Sequence, residues 1–253
     1  MTAPPAHRPG GLRRSVRLFR AFLVEQTDPG RFYGELAGDT VRQLERYCPL
    51  DNKTVLDIGG GQGHLAAAVR ARGGGYHLVE PDPDAIGLGR DGVPPGTVVA
   101  DGYWLPFRAG IADICVCSNV LEHVPDPAGL LDELVRVTRP GGLVYVSFTN
   151  WYSPWGGHET SPWHYFGGAR AARRYARRHG RPPKNEYRRT LFPVHIGQTL
   201  RLARRQPGAR LADALPRYYP RPARVLLRVP GLRELLTWNL LLILRKDEPG
   251  AVS

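Results

Sequence analysis

Residues 55–66, VLDIGGGQGHLA, constrain the fold of this chain more than any other stretch. A short apolar run ends near Asp57, glycines follow at alternate positions (Gly59, Gly61, Gly63), and an alanine-rich segment takes over. The order reads as strand, glycine turn, helix. Glycine admits positive φ and lets a ligand approach the backbone. The helix that follows presents unpaired N–H groups and the positive end of its dipole. A second apolar run, YHLVE, ends on Glu80. A carboxylate there is placed to accept hydrogen bonds from ribose hydroxyls, so the two features together point to an adenosine-containing cofactor.

Spacing alone leaves the cofactor open. The dinucleotide pattern G-x-G-x-x-G/A fails when read from Gly59, where His64 takes the third small position. It passes from Gly61, where Ala66 does. A tight turn with no ligand is the plainer alternative. The alternation continues downstream. Strands are expected near 53–58, 76–80, 97–100, 113–118 and 142–148, with Gly141 and Gly142 forming the turn before the last of these. Helices are expected near 63–72, 83–90 and 127–138. The first, fourth and fifth strands are almost continuously apolar, as in a sheet covered on both faces. This alternation implies an α/β chain with a parallel, doubly wound sheet. Upstream, LRRSVRLFRAFLVE (12–25) sets Leu12, Val16, Phe19 and Leu23 at helical spacing, and a second helix is expected over 35–47. Downstream, 208–218 and 238–246 read as two further strands with a helix over 221–237 between them. The run LLLIL is read as a buried strand rather than a membrane contact.

The pattern D-x-G-x-G-x-G starting at Asp57 resembles motif I of the class I S-adenosylmethionine (SAM) methyltransferases. VVADGYWLPF (98–107), ADICVCSNVLEHVPDP (112–127) and LVRVTRPGGLVYVSF (134–148) resemble the later motifs of that family, in order. LEHV and RPGG are typical of the type 11-like branch, which methylates small molecules and lipids. The whole chain is similar to uncharacterised actinobacterial methyltransferases, mycobacterial ones included. The resemblance implies a Rossmann-like, seven-stranded sheet, mostly parallel with an antiparallel last strand, with N-terminal helices and an insertion after strand five. The expected division is a disordered tail (1–11), cap helices (12–48), a SAM-binding core (49–150), an acceptor-site insertion (151–207), the end of the sheet (208–246) and a tail (247–253).

The resemblance also implies roles. The turn of Gly59, Gly61 and Gly63 packs against the methionine part of SAM, and Asp57 holds its amino group. Glu80 takes both ribose hydroxyls. Asp101 accepts from the adenine amino group, and the Gly102 N–H contacts the ring. Ser118 and Asn119 lie near the methionine and methyl end. These residue types also cap helices and make turns, which is the competing reading of each. Adenine N-methylating enzymes carry an Asn/Asp-Pro-Pro-aromatic motif after strand four. This chain has Ser118-Asn119-Val120-Leu121 there, which argues against that chemistry.

Methyl transfer is an in-line displacement at a sulfonium that is already activated, so alignment is the main task. A hydroxyl acceptor also needs a group to take its proton. The candidates are His123, just after strand four, and His158, Glu159 and His164 in GGHETSPWHYF (156–166). HETSPWH is not a metal-binding helix motif, because it contains Pro162 and lacks two His at i, i+4. Cys115 and Cys117 lie two apart on a strand and read as buried thiols on one face. No metal is expected.

The net charge of +12 is concentrated in two places. Residues 1–20 hold five Arg and no acid, and residues 166–190 hold eight Arg and one Lys against Glu186. On a helix over 169–179, Arg170, Arg173, Arg174, Arg177 and Arg178 share one face. A solvated face is the plain reading. The single sign of the stripe favours instead a small or lipid-linked anionic acceptor, or peripheral contact with an anionic membrane. Nucleic acid is not an expected partner. The favoured reaction is O-methylation of a sugar or metabolite hydroxyl. The alternatives are C-methylation of a quinone or polyketide, an RNA-binding methyltransferase, and a SAM-binding protein without turnover. No secretory signal or run of ~18 apolar residues is visible, so a cytoplasmic location is expected, with the inner face of the membrane as the place of contact if the basic segments bind anionic lipid.

Overall fold

The computed structural model describes residues 11–23, 28–86 and 93–250. Strands β1 (Thr54–Ile58), β2 (Gly75–Glu80), β3 (Val98–Val99), β4 (Ala112–Ser118), β5 (Thr138–Thr149), β6 (Ala209–Pro216) and β7 (Asn239–Lys246) form one sheet in the order β3-β2-β1-β4-β5-β7-β6. β7 runs antiparallel to both neighbours, and the other strands are parallel to one another. The expected seven-stranded, doubly wound sheet is what the chain forms.

Side-chain alternation builds a core on each face. Ile114 and Val116 of β4, with Leu241 and Ile243 of β7, meet helices α2 (Pro29–Leu44) and α3 (Leu65–Arg70) through Val41, Leu44, Leu65 and Val69. Cys115, Cys117, Leu240, Leu242 and Leu244 face the other way. They pack with Leu130, Leu131 and Leu134 of α5 (Pro127–Val137) and Ile196 and Leu200 of α7 (Ile196–Arg204). The LLLIL run is therefore a central strand buried on both faces. Burial pushes the Cys115 thiol up to about 12, consistent with an inert core residue.

Several boundaries differ from the sequence reading. The second helix begins earlier, at Pro29, and the strand expected at 97–100 is only Val98–Val99. Gly141 and Gly142 do not form a separate turn: β5 extends back to Thr138 across a register shift opposite β4. The helix expected over 221–237 is broken by Pro230 and by Gly231 at φ +84 into a 3-10 segment (Arg221–Arg228) and a short α8 (Leu232–Leu236). The irregular stretch after β5 contains a core helix, α7, beyond the exposed α6 (Gly168–His179). The ends expected for helices 12–25 and 83–90, and nearly all of the tail expected over 1–11, lie outside the described residues. The helices there cover Leu12–Leu23 (α1) and Pro83–Ile86 (α4).

Candidate active site at the carboxyl end of the sheet

Asp57 is the next-to-last residue of β1 with its side chain buried, and its Oδ2 accepts the Tyr76 hydroxyl at 2.7 Å. Burial, and then the neighbouring Glu80 carboxylate, raise Asp57 to about 6 against the pull of that hydroxyl. The turn that follows is left-handed at Gly59 (φ +69), Gly61 (φ +56) and Gly63 (φ +71). A Cβ at Gly61 would meet nothing within 4 Å, so the backbone there borders open space. A Cβ at Gly60 would lie 2.4 Å from Asp57 Oδ2 and 2.7 Å from Leu78 Cδ1. Gly60 was not singled out from the sequence, yet the buried carboxylate requires it.

Glu80 ends β2. Its Oε2 accepts the Gly61 N–H at 2.9 Å and its Oε1 the Asp82 N–H at 3.3 Å. Each oxygen keeps a lone pair, which suits two adjacent hydroxyls. Asp101 follows β3, exposed, with Oδ1 bonded to the Tyr103 N–H. Gly102 lies against Leu130, whose Cδ1 is 3.0 Å from where a Cβ would stand. Tyr33 of α2 stacks on His64 at 4.8 Å, laying the cap over the glycine turn. An open glycine cradle, a fork of carboxylate oxygens and a buried carboxylate together fit the sugar and the ammonium end of an adenosine–amino acid cofactor.

Ser118 ends β4 and Asn119 follows it, and both are committed internally. Ser118 Oγ accepts from Arg217 at 2.8 Å and lies 3.2 Å from Ser147 Oγ. Asn119 adopts φ +58, and its Oδ1 accepts from Asn239 at 2.8 Å. Arg217, absent from the sequence-based candidates, is fully buried and also donates to Ser147 (2.7 Å) and Thr40 (2.9 Å).

Beyond Asn119, a 3-10 turn carries Glu122 and His123. Glu122 is buried, and its Oε1 accepts the Thr149 N–H at 2.9 Å while Oε2 has no partner. Burial holds its carboxyl above the usual range. His123 Nδ1 lies 2.8 Å from the Thr190 carbonyl. A carbonyl only accepts, so Nδ1 is the donor, and in the neutral ring Nε2 is the nitrogen with a free lone pair. The His158 ring packs edge-on at 5.1 Å, and burial followed by the His123 charge lowers it to about 4. One ligand atom from each of Glu122, His123 and His158 lies within 4.8 Å of the others. The other two candidates stand apart. Glu159 accepts from Asn185 at the surface, and His164 is buried against Trp151 and Tyr165. Glu122 was legible only as part of LEHV.

The arginine stripe forms as expected. Arg170, Arg173, Arg174, Arg177 and Arg178 of α6 are exposed, and Arg174 lies over the Trp163 ring at 3.8 Å. Among the described residues, no carboxylate pairs with any of the five.

A methyltransferase domain model matches residues 56–146. An uncharacterized methyltransferase of Mycolicibacterium gilvum is 51% identical over 243 residues, covering 92% of this chain and 94% of its own. One from Mycobacteroides abscessus is 49% identical over 246 residues, with 92% and 94% covered. The structure of a SAM-dependent methyltransferase from Mesorhizobium loti superposes with a TM-score of 0.56 at 17% identity, covering 82% of this chain and 98% of that one. This last likeness concerns the fold, and the mycobacterial relatives carry the assignment. The chain belongs to the SAM-dependent methyltransferase family.

Proposed function

We propose that this enzyme O-methylates a hydroxyl of a small or lipid-linked, anionic acceptor. The observation that carries the reading is His123, at the carboxyl end of β4 beside a buried carboxylate, with one ring nitrogen fixed by the Thr190 carbonyl. SAM, when bound, supplies a methyl group on a sulfonium. Glu80 takes the ribose hydroxyls, Asp57 the ammonium, Asp101 and Gly102 the adenine edge, and the turn of Gly59, Gly61 and Gly63 gives close approach. Ser118 and Asn119 support the methyl end through the Arg217 and Asn239 bonds. His123 Nε2 takes the acceptor's proton. Thr190 holds the required tautomer, and the Glu122 carboxylate stabilises the imidazolium that results. His158 stays neutral beside it, adding no repulsive charge. Glu159 and His164 shape the loop that brings His158 in. The α6 arginines draw in the acceptor's anionic group.

His123→Gln should leave SAM binding by calorimetry intact and lower S-adenosylhomocysteine release with cell-extract acceptor by roughly 10²–10⁴-fold. Full activity in that variant refutes the base assignment. Replacing Arg173, Arg174, Arg177 and Arg178 with Gln should raise the acceptor KM and leave kcat in place. The close approach of Glu122, His123 and His158 favours one second reading, a divalent cation held by these side chains. Metal analysis of the purified enzyme, and activity after chelation, separate the two.

A further inference from the structure

Two apolar surfaces at the site end of the sheet have no partner among the described residues. The first is on α1. Its inner face, Leu18 and Ala21, is buried, while Leu12 (69% exposed), Val16 and Phe19 (44%) face outward. Leu12, Val16 and Phe19 of the apolar stripe seen in the sequence thus point away from the core. The second lies in the connection from β6 to β7. Within 221–236, Val225 (55%), Val229, Leu232, Leu235 (57%) and Leu236 are exposed, and only Leu227 is buried. Scattered exposed apolar residues are ordinary, but five within twelve positions need a cause.

Topology sets both surfaces beside the active site. β6 is parallel to β5, so the chain leaves β6 at the same end as Asp57 and Ser118. Arg217, the next residue, reaches Ser118. Arg14 of α1 donates to the Arg217 carbonyl at 2.8 Å.

The charges around the apolar residues are mostly basic, with Arg17 paired to Glu35 and Arg224 to Asp213. Arg221, Arg224, Arg228 and Arg233 stand in 221–236 with Glu234 as the one acid, and Arg13 and Arg20 are exposed on α1. Glu234 is turned inward, accepting the N–H groups of Ile196 and Gly197. Apolar side chains ringed by arginine match the acyl boundary and the anionic headgroups of a bilayer. A self-interface would set these arginines against one another.

We propose that α1 and residues 221–236 form a docking face for an anionic lipid bilayer, which sets the active-site mouth at the membrane surface. Leu232, Leu235, Leu236, Val225, Phe19 and Leu12 enter the headgroup layer and the arginines remain at the phosphates. The purpose of this face rests on the lipid-linked acceptor proposed above. Its test uses no acceptor and reads no methyl transfer. No helix among the described residues is long and apolar enough to cross a membrane, so the contact is peripheral.

The experiment is co-sedimentation of the full chain with vesicles of phosphatidylcholine alone or mixed equally with phosphatidylglycerol. Wild type should pellet with the mixed vesicles and far less with the neutral ones. A Leu232→Ser, Leu235→Ser, Leu236→Ser variant should lower the partition coefficient at least about tenfold. Calorimetric SAM binding and the melting curve report whether that variant is folded. If it is not, Phe19→Ser and Val225→Ser, on separate elements, carry the same expectation. Absence of wild-type binding to the mixed vesicles overturns the proposal. So does binding that survives the leucine changes but vanishes when the α6 arginines become Gln, because the stripe would then be the contact. A wild type that self-associates without lipid, and a leucine variant that is monomeric, would make the face a self-interface and also overturn it. None of these outcomes touches methyl transfer, which the His123 variant tests separately.

Discussion

Asp57 is the residue whose physics sets a measurable pH response. Its carboxyl is raised to about 6 by burial and by Glu80, although the Tyr76 hydroxyl favours the ionised form. Only the ionised form pairs with an ammonium group. SAM affinity should therefore weaken as pH falls through about 6. The ligand-free protein responds with the opposite sign. A carboxyl raised on folding stabilises the fold in its protonated form, and that contribution is lost as pH rises through about 6. Asp57→Asn keeps the acceptor for Tyr76 and removes the titration, so both slopes should flatten in calorimetry and in melting curves taken across this range. A variant that keeps the wild-type slope would assign the titration elsewhere. Asp57 and the glycines at positive φ were legible because strand, turn and helix are local. Gly60 was not, because its need comes from the packing of Asp57 and Leu78 rather than from an unusual φ.

At the scale of elements, local patterns located helices and strands but not what they face. α1 shows a regular apolar stripe and turns Leu12, Val16 and Phe19 of it outward, because its buried side is fixed by Arg14 on Asp39 (2.7 Å) and by Leu18 and Ala21. α7 was hidden in a segment dominated by Trp, His and Arg. Ile196, Leu200 and Ala203 recur there at helical spacing, but over only nine residues. Its start has no side-chain cap of its own. Glu234, from α8, accepts the Ile196 and Gly197 N–H groups at 2.9 and 2.7 Å. That is a capping carboxylate supplied from 38 residues away, which no local motif reveals. It also ties the proposed membrane face to the core helix. Glu234→Ala should cost about 1–2 kcal/mol in denaturant unfolding, from the lost cap and the lost charge at a helix N-terminus. Glu234→Gln, which keeps an acceptor, should cost less. Equal losses would mean that charge rather than hydrogen bonding dominates.

At the scale of the molecule, the sheet was legible through the order of its strands and helices, and the antiparallel end through family resemblance. Arg217 was not, because it is made by assembly: Thr40, Ser118 and Ser147 come from α2, β4 and β5 and meet only in the finished fold. In the sequence, Arg217 falls at the end of the strand expected over 208–218, with nothing local to mark it as buried. The proposed cofactor site has the same assembled character. Its parts sit at the ends of β1, β2, β3 and β4, so a ligand that touches all of them binds the folded chain and not the unfolded one. S-adenosylhomocysteine at about a hundred times its Kd should then add about 2.7 kcal/mol to stability. For a domain of this size that is a rise of roughly 5–11 °C in Tm. The glycine spacing alone also admitted a dinucleotide, so NAD at the same concentration is the informative control. A shift with S-adenosylhomocysteine and none with NAD assigns the cradle to SAM. A shift with NAD alone would mean that Glu80 and the glycine turn hold a different adenosine cofactor from the one the family uses.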